Sequence, residues 1–243
     1  MKLVLCQLYP EHLSIYADRG NVLVLARRCE WRGIGFELRP LRLGDELDPG
    51  AADLYLLGGG QDRDQELIAG DLLRHADALH AAVEGGAAVL AVCGGYQLAG
   101  HHYLGHAGAS LPGVGLLDVE TVAGDRRLIG NVVCEADLGD GSRTIVGFEN
   151  HAGRTILAPG QSPLARVIDG NGNDGASGLE GARSGRVIGT YVHGPLLPKN
   201  PWLADWLIAE ALARRHGELA LEPLDDRFEQ RAADTAKRLT RAG

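Results

Sequence analysis

No stretch of this sequence approaches the run of about 20 apolar residues that a helix needs to cross a bilayer. The N-terminal MKLVLCQLYPEHL begins like a signal peptide, but Pro10, Glu11 and His12 cut its apolar run short, and it reads as a first β-strand. No excess of basic residues is present. Lys and Arg number 24 against 32 Asp and Glu, a net charge of −8, and no basic cluster forms. That balance excludes a nucleic-acid binder. There is no C-x-x-C pair. Cys6, Cys29, Cys93 and Cys134 are widely spaced, which argues against a disulfide framework or a zinc knuckle and fits a reducing, cytoplasmic setting. Internal repeats and low-complexity tracts are also missing. So is a phosphate-binding loop: LLGGGQD at 56–62 lacks the lysine and the Ser/Thr, so nothing here binds ATP.

What is present points to a packed core. Apolar residues make up 45 % of the 243, and the 35 glycines are about double the usual share. The first half alternates in type. Leu3 to Leu8, the stretch around Phe36, Leu38 and Leu41, Asp53 to Leu57, and Ala87 to Val92 read as strands. Asp18 to Arg32 and a segment from Asp62 to Leu79 read as helices, the second with Asp62 as its cap. Continuous apolar strands with intervening helices predict an open, doubly wound, mostly parallel α/β sheet. From about Leu116 to His193 short strands separated by glycine turns are expected, such as Leu128 to Cys134, Thr144 to Phe148 and Val187 to Val192, with 168–178 as a loop or hairpin tip. After Pro198 the chain reads helical, Pro201 to Arg215 and then the charged Pro223 to Arg241. The expected division is 1–198 as the α/β domain and 199–243 as C-terminal helices packed on it or on a partner.

The residues AAVLAVCGGYQLAG at 87–100 carry the chemistry. Cys93 stands between a buried strand and a helix, where open parallel sheets bind ligands. A sharp strand-to-helix turn projects its side chain, adjacent glycines relieve crowding, and a helix N-terminus favours a thiolate. Cys6, Cys29 and Cys134 lack that setting and read as packing residues. A nucleophilic cysteine needs a base. His193, in RVIGTYVHGP, ends another apolar run before a glycine; His151, in FENHAGR, is the competitor. His101, His102 and His106 in HHYLGH have helical spacing, but no carboxylate or cysteine accompanies them, so a solvated helix end is expected rather than a metal site.

The Cys93 elbow with Gln97 four residues on, the distal His193 and the Gly-rich loop together resemble a class I glutamine amidotransferase domain of the cobyric acid synthase type. Five further segments narrow the resemblance: LYPEHLSIYADRGN at 8–21, LLGGGQDRDQ at 56–65, RLIGN at 127–131, GFENHAGRT at 147–155 and TYVHGPLLPKNP at 190–201. They are similar to the GatD-type glutaminase subunits of lipid II isoglutaminyl synthases. The resemblance covers about residues 1–210 and implies a flavodoxin-like class I glutaminase fold with extra short antiparallel strands and a C-terminal helical segment.

It implies glutamine hydrolysis to glutamate and ammonia through a thioester on Cys93, with His193 as base. Backbone N–H groups of Gly94 and of Gly59 or Gly60 would hold the oxyanion. Gln97 would face the substrate, and Arg127, with Arg126 as fallback, would bind the glutamine carboxylate. No cofactor and no metal are implied. The implied partner is a Mur ligase-like, ATP-dependent synthetase in a heterodimer, which uses the ammonia to amidate the D-glutamate α-carboxyl of lipid II. Neither nucleic acid nor membrane insertion is expected. One departure stands out. Many class I members have a glutamate two residues after the histidine, and here that slot is Pro195. The domain then works as a dyad, or takes its acid from elsewhere, such as Glu149, or receives it from the partner chain. Alternatives of the same fold are a cobyric acid synthase-type amidotransferase and a cysteine hydrolase of another amide; a non-catalytic binding module is the alternative from another class.

Overall fold

A computed structural model describes residues 1–14, 18–105 and 110–240. In chain order the elements are β1 (Lys2–Leu8), α1 (Asp18–Glu30), β2 (Gly35–Leu41), β3 (Leu54–Leu57), α2 (Asp62–Arg74), α3 (Ala76–Glu84), β4 (Ala88–Val92) and α4 (Gly94–Ala99). There follow β5 (His102–Leu104), β6 (Ser110–Pro112), β7 (Val119–Asp137), β8 (Ser142–Leu157), β9 (Ala165–Asp169), β10 (Leu179–Glu180), β11 (Ala182–Ser184) and β12 (Val187–Thr190). Three helices close the chain: α5 (Leu196–Lys199), α6 (Pro201–His216) and α7 (Arg227–Thr240). Among the described residues no helix is long and apolar enough to cross a membrane.

The first sheet has the order β2-β1-β3-β4-β12-β11. All of its pairings are parallel except the β11–β12 edge. This is the doubly wound, flavodoxin-like order, with its topological switch between β1 and β3. β3, β4 and β12 are buried throughout, which is why they read as unbroken apolar runs. Each fully buried leucine or valine there contributes about 1.5–3 kcal/mol. Asp53 is an exception inside this core. Its carboxylate accepts the Val4 N–H at 2.9 Å and the Arg215 guanidinium at 2.5 Å, pinning β1 and the end of α6 together.

Leu203, Leu207, Ile208 and Leu212 of α6 bury into the same apolar core as β1 and β4. Buried Arg28 of α1 grips Asp205 at 2.6 Å and Asp226 at 2.7 Å, tying α6 and the lead into α7 to the domain. The charged helix α7 lies against β7, β8 and α5.

The extra strands form a second, mostly antiparallel sheet, ordered β10-β9-β7-β5-β6 with β8 also on β7. β7 and β8 run for 19 and 16 residues, longer than the segments 128–134 and 144–148 suggested by the sequence. The 168–178 segment comprises the end of β9 and the loop from it to β10, and the two strands pair antiparallel. Three local expectations are corrected. The helix from Asp62 to Leu79 is two helices broken at His75. Gln61 rather than Asp62 is the cap residue, and it makes no side-chain capping bond. His102 lies in strand β5, not at a helix end, while His101 bonds Asp118 at 2.8 Å and His106 lies outside the described residues.

Candidate active site

Cys93 leaves β4 and enters α4 with φ 52° and ψ −110°. Among the described non-glycine residues only Tyr9 shares a positive φ. Such a conformation costs on the order of 1–3 kcal/mol and persists only where its surroundings hold it. Here the Cys93 N–H donates to the Thr190 carbonyl at 2.8 Å, and its own carbonyl accepts the Gln97 N–H at 3.1 Å. The two following glycines are required by space. A Cβ on Gly95 would lie 2.5 Å from the Leu57 carbonyl oxygen, and one on Gly94 would lie 3.0 Å from the Gly60 nitrogen. The elbow therefore sits directly on the Gly58–Gly60 loop, with the Gly95 N–H donating to the Gly58 carbonyl at 3.0 Å. Gly95→Ala forces backbone apart, and a loss of about 1–3 kcal/mol is expected in urea unfolding; an unchanged midpoint would contradict this packing.

β4 and β12 are neighbours, with Thr190 paired to Val92. Their carboxyl ends thus bring Cys93 and the Tyr191–His193 segment to the same end of the sheet. His193 is held from both sides. Its backbone exchanges hydrogen bonds with Phe148 at 2.9 and 3.0 Å, and its ring meets the Phe148 ring edge-on at 5.8 Å. Beyond it, Asn21 accepts the Leu197 N–H at 2.9 Å, and Asn200 bonds the Val146 N–H and carbonyl at 2.9 and 2.8 Å. Both asparagines are buried and anchor the turn that follows the histidine.

A cavity of about 460 Å³ opens beside the elbow. Of the residues singled out from sequence, Cys93, Gly60, Gln97, Arg127 and His151 line it, whereas His193, Gly59, Gly94 and Arg126 do not. Arg127 is poised there by Asn150, whose side-chain oxygen and backbone carbonyl accept from Nε and Nη2 at 2.7 and 2.8 Å. Gln97 donates to the Tyr191 hydroxyl at 3.3 Å. His151 stacks on the Tyr191 ring at 3.6 Å, and its Nδ1 donates to the Gly153 carbonyl at 2.8 Å, so it forms a fixed wall. The Glu149 carboxylate accepts the Asn171 N–H, the Asn171 amide and the Gly172 N–H at 2.6–2.8 Å, so it anchors the 168–178 loop. Gln65, Tyr103, Asn150 and Tyr191 were not legible as site residues. Gln65, Asn150 and Tyr191 left a signal only as members of LLGGGQDRDQ, GFENHAGRT and TYVHGPLLPKNP. The remaining cysteines are inert: burial pushes the Cys6 and Cys29 thiols up to about 12 and Cys134 up as well.

Burial, with Lys199 and Arg127 nearby, pushes the His193 imidazole down to about 4, and burial does the same to His151. Both rings are neutral at pH 7. Between about pH 4 and 6.5 the unfolded chain holds two protons that the fold does not, so stability falls as pH falls through that window. Glu180 opposes this. Burial pushes its carboxyl up to about 7, so between about pH 4.5 and 7 the fold holds a proton that the unfolded chain lacks, and stability falls as pH rises. From about pH 4.5 to 6.5 the two histidines outweigh Glu180, so stability rises with pH across that window. Glu180→Gln removes the opposing contribution, and stability should rise more steeply with pH than in the wild type in urea titrations at several pH values. An equal or shallower slope would contradict this assignment.

The family model of the CobB/CobQ-like glutamine amidotransferase domain matches residues 4–201. The chain belongs to this family. It is 34 % identical to the lipid II isoglutaminyl synthase (glutamine-hydrolyzing) subunit GatD of Streptococcus pneumoniae, over 96 % of this chain and 90 % of that protein. To the subunit of the same name from Staphylococcus aureus it is 36 % identical, over 91 % and 89 %. The structure of PurLQS from Thermotoga maritima superposes with a TM-score of 0.57 at 20 % identity, covering 79 % of this chain and 88 % of that one, and shows the shared fold. The strained cysteine thus lies within the part of the chain that matches the glutamine amidotransferase domain.

Proposed function

We propose that this amidotransferase is the glutaminase subunit of a lipid II isoglutaminyl synthase. The observation that carries the reading is the strained Cys93 elbow, opening on a cavity that also presents Arg127, in a chain similar over most of its length to two GatD subunits. Arg127 takes the glutamine carboxylate, and the Cys93 sulfur attacks the side-chain carbonyl carbon. His193, neutral at working pH, takes the thiol proton. The tetrahedral oxyanion rests on backbone N–H groups of Gly94 and of Gly59 or Gly60. Collapse breaks the C–N bond, and His193 returns the proton to the leaving nitrogen, which departs as ammonia. Water then attacks the thioester, releasing glutamate and restoring the thiol.

An imidazole pushed down to about 4 is a weak base. A carboxylate beside it would raise its basicity and orient it. Pro195 occupies the usual acid slot, and Glu149 is committed to the 168–178 loop. We propose that a Mur ligase-like, ATP-dependent partner supplies the acid, toward which the Lys199 and Arg127 charges near His193 are favourable. The partner would receive the ammonia and amidate the D-glutamate α-carboxyl of lipid II. The test is reconstitution with the co-expressed synthetase, ATP, glutamine and lipid II. A product lighter by about 1 Da at the D-glutamate supports the reading, and glutamine-dependent amidation of any other acceptor with lipid II unchanged overturns it. Replacing partner Asp and Glu residues one at a time tests the shared acid; it is lost as an idea if none of them lowers ammonia release.

A further inference from the structure

Gln65, in the first turn of α2, is 1 % exposed and lines the cavity beside Cys93. Its carboxamide can face only one way. Nε2 donates to Gln97 Oε1 at 3.1 Å and to the Gly60 carbonyl at 3.4 Å. Gln97 donates onward to the Tyr191 hydroxyl at 3.3 Å. That hydroxyl lies 2.6 Å from Thr155 Oγ1, which lies 2.7 Å from Thr121 Oγ1. A hydroxyl that accepts from Gln97 has its own proton for Thr155, so the chain of bonds runs inward from Gln65. Turning the Gln65 amide over would set its oxygen against two other acceptors. Oε1 is therefore the atom left over, and it is buried with no hydrogen-bond partner among the described residues. Buried acceptors nearly always have a donor, and a site-lining exception points to a ligand. The amide also stands against the elbow: a Cβ on Gly94 would lie 2.9 Å from Gln65 Nε2.

We infer that Gln65 is a substrate-contacting residue whose Oε1 accepts an N–H of bound glutamine. The inference rests on the glutaminase reading above. Glutamine offers two such donors, its carboxamide and its α-ammonium. A contact to the carboxamide also selects against the product, since glutamate presents an oxygen where glutamine presents the N–H.

The test is calorimetric binding to the Cys93→Ala chain, with Gln65 intact and as Gln65→Met, using three probes. Glutamine carries both donors, glutamate only the α-ammonium, and glutaramate only the carboxamide. A weakening of about tenfold is expected for glutamine on Gln65→Met. Loss for glutaramate but not glutamate assigns the contact to the carboxamide; loss for glutamate but not glutaramate assigns it to the α-ammonium. Equal loss for both, as when Gln65 merely positions Gln97, overturns the inference, and so does no loss for either. Gln65→Ala serves if the methionine variant does not fold. If glutamine fails to bind with Gln65 intact, the glutaminase reading itself fails and the inference falls with it.

Discussion

Cys93→Ala should lower ammonia release from glutamine by about 10⁴-fold or more, since removing a nucleophile costs most of what its whole constellation supplies. Stability should hardly change, because alanine keeps the buried Cβ and the φ of 52° is as unfavourable for it as for cysteine. The readout is coupled-assay glutaminase activity of the chain with the proposed synthetase partner, beside thermal unfolding of both forms. The other three cysteines give the contrast. Cys6, Cys29 and Cys134 lie in the core with thiols pushed up by burial, so exchanging one for alanine costs stability and leaves the specific activity of the folded fraction unchanged. Retained turnover in Cys93→Ala would remove the thioester route altogether.

His193→Ala is expected to cost about 10²–10⁴-fold in kcat with little change in KM, the usual contribution of a positioned base. On the proposed mechanism the histidine would meet the reacting proton, and the glutamine carboxylate would fall to Arg127 on the cavity wall. Addition of imidazole should recover part of the rate, because deleting the side chain leaves space next to Phe148. His151→Ala discriminates between the two histidines. That ring stacks flat on Tyr191 and donates to Gly153, so its loss should raise KM and lower stability more than it lowers kcat. The reverse pattern, a larger kcat loss at His151 than at His193, would exchange their roles.

The first sheet was legible because strands buried on both faces leave unbroken apolar runs such as Leu3 to Leu8 and Ala87 to Val92. Its strained cysteine stood out for a related reason: a turn at a strand's carboxyl end interrupts the apolar run with glycine and polar residues. The second sheet was harder. Gly147 and Gly153 lie inside β8 and suggest turns, yet they are there for close approach. A Cβ on Gly147 would run into Val192, and one on Gly153 into the Gln97 amide. Asp125, Arg126 and Arg127 interrupt the pattern of β7 where its pairing with β8 shifts register. The roles of Gln65 and Tyr191 were hidden because they arise through space. They depend on partners 32 and 36 residues away in sequence, Gln97 and Thr155, which no local pattern pairs.

The account rests on Cys93 being the atom that glutamine acylates. The most direct measurement is covalent trapping with 6-diazo-5-oxo-L-norleucine, a glutamine mimic, read by intact mass and peptide mapping, with the chain alone and with the proposed synthetase partner co-expressed. A single adduct on the peptide containing Cys93, formed faster in the complex and prevented by excess glutamine, is the predicted result. An adduct on Cys6, Cys29 or Cys134, or no adduct in either state, would contradict it.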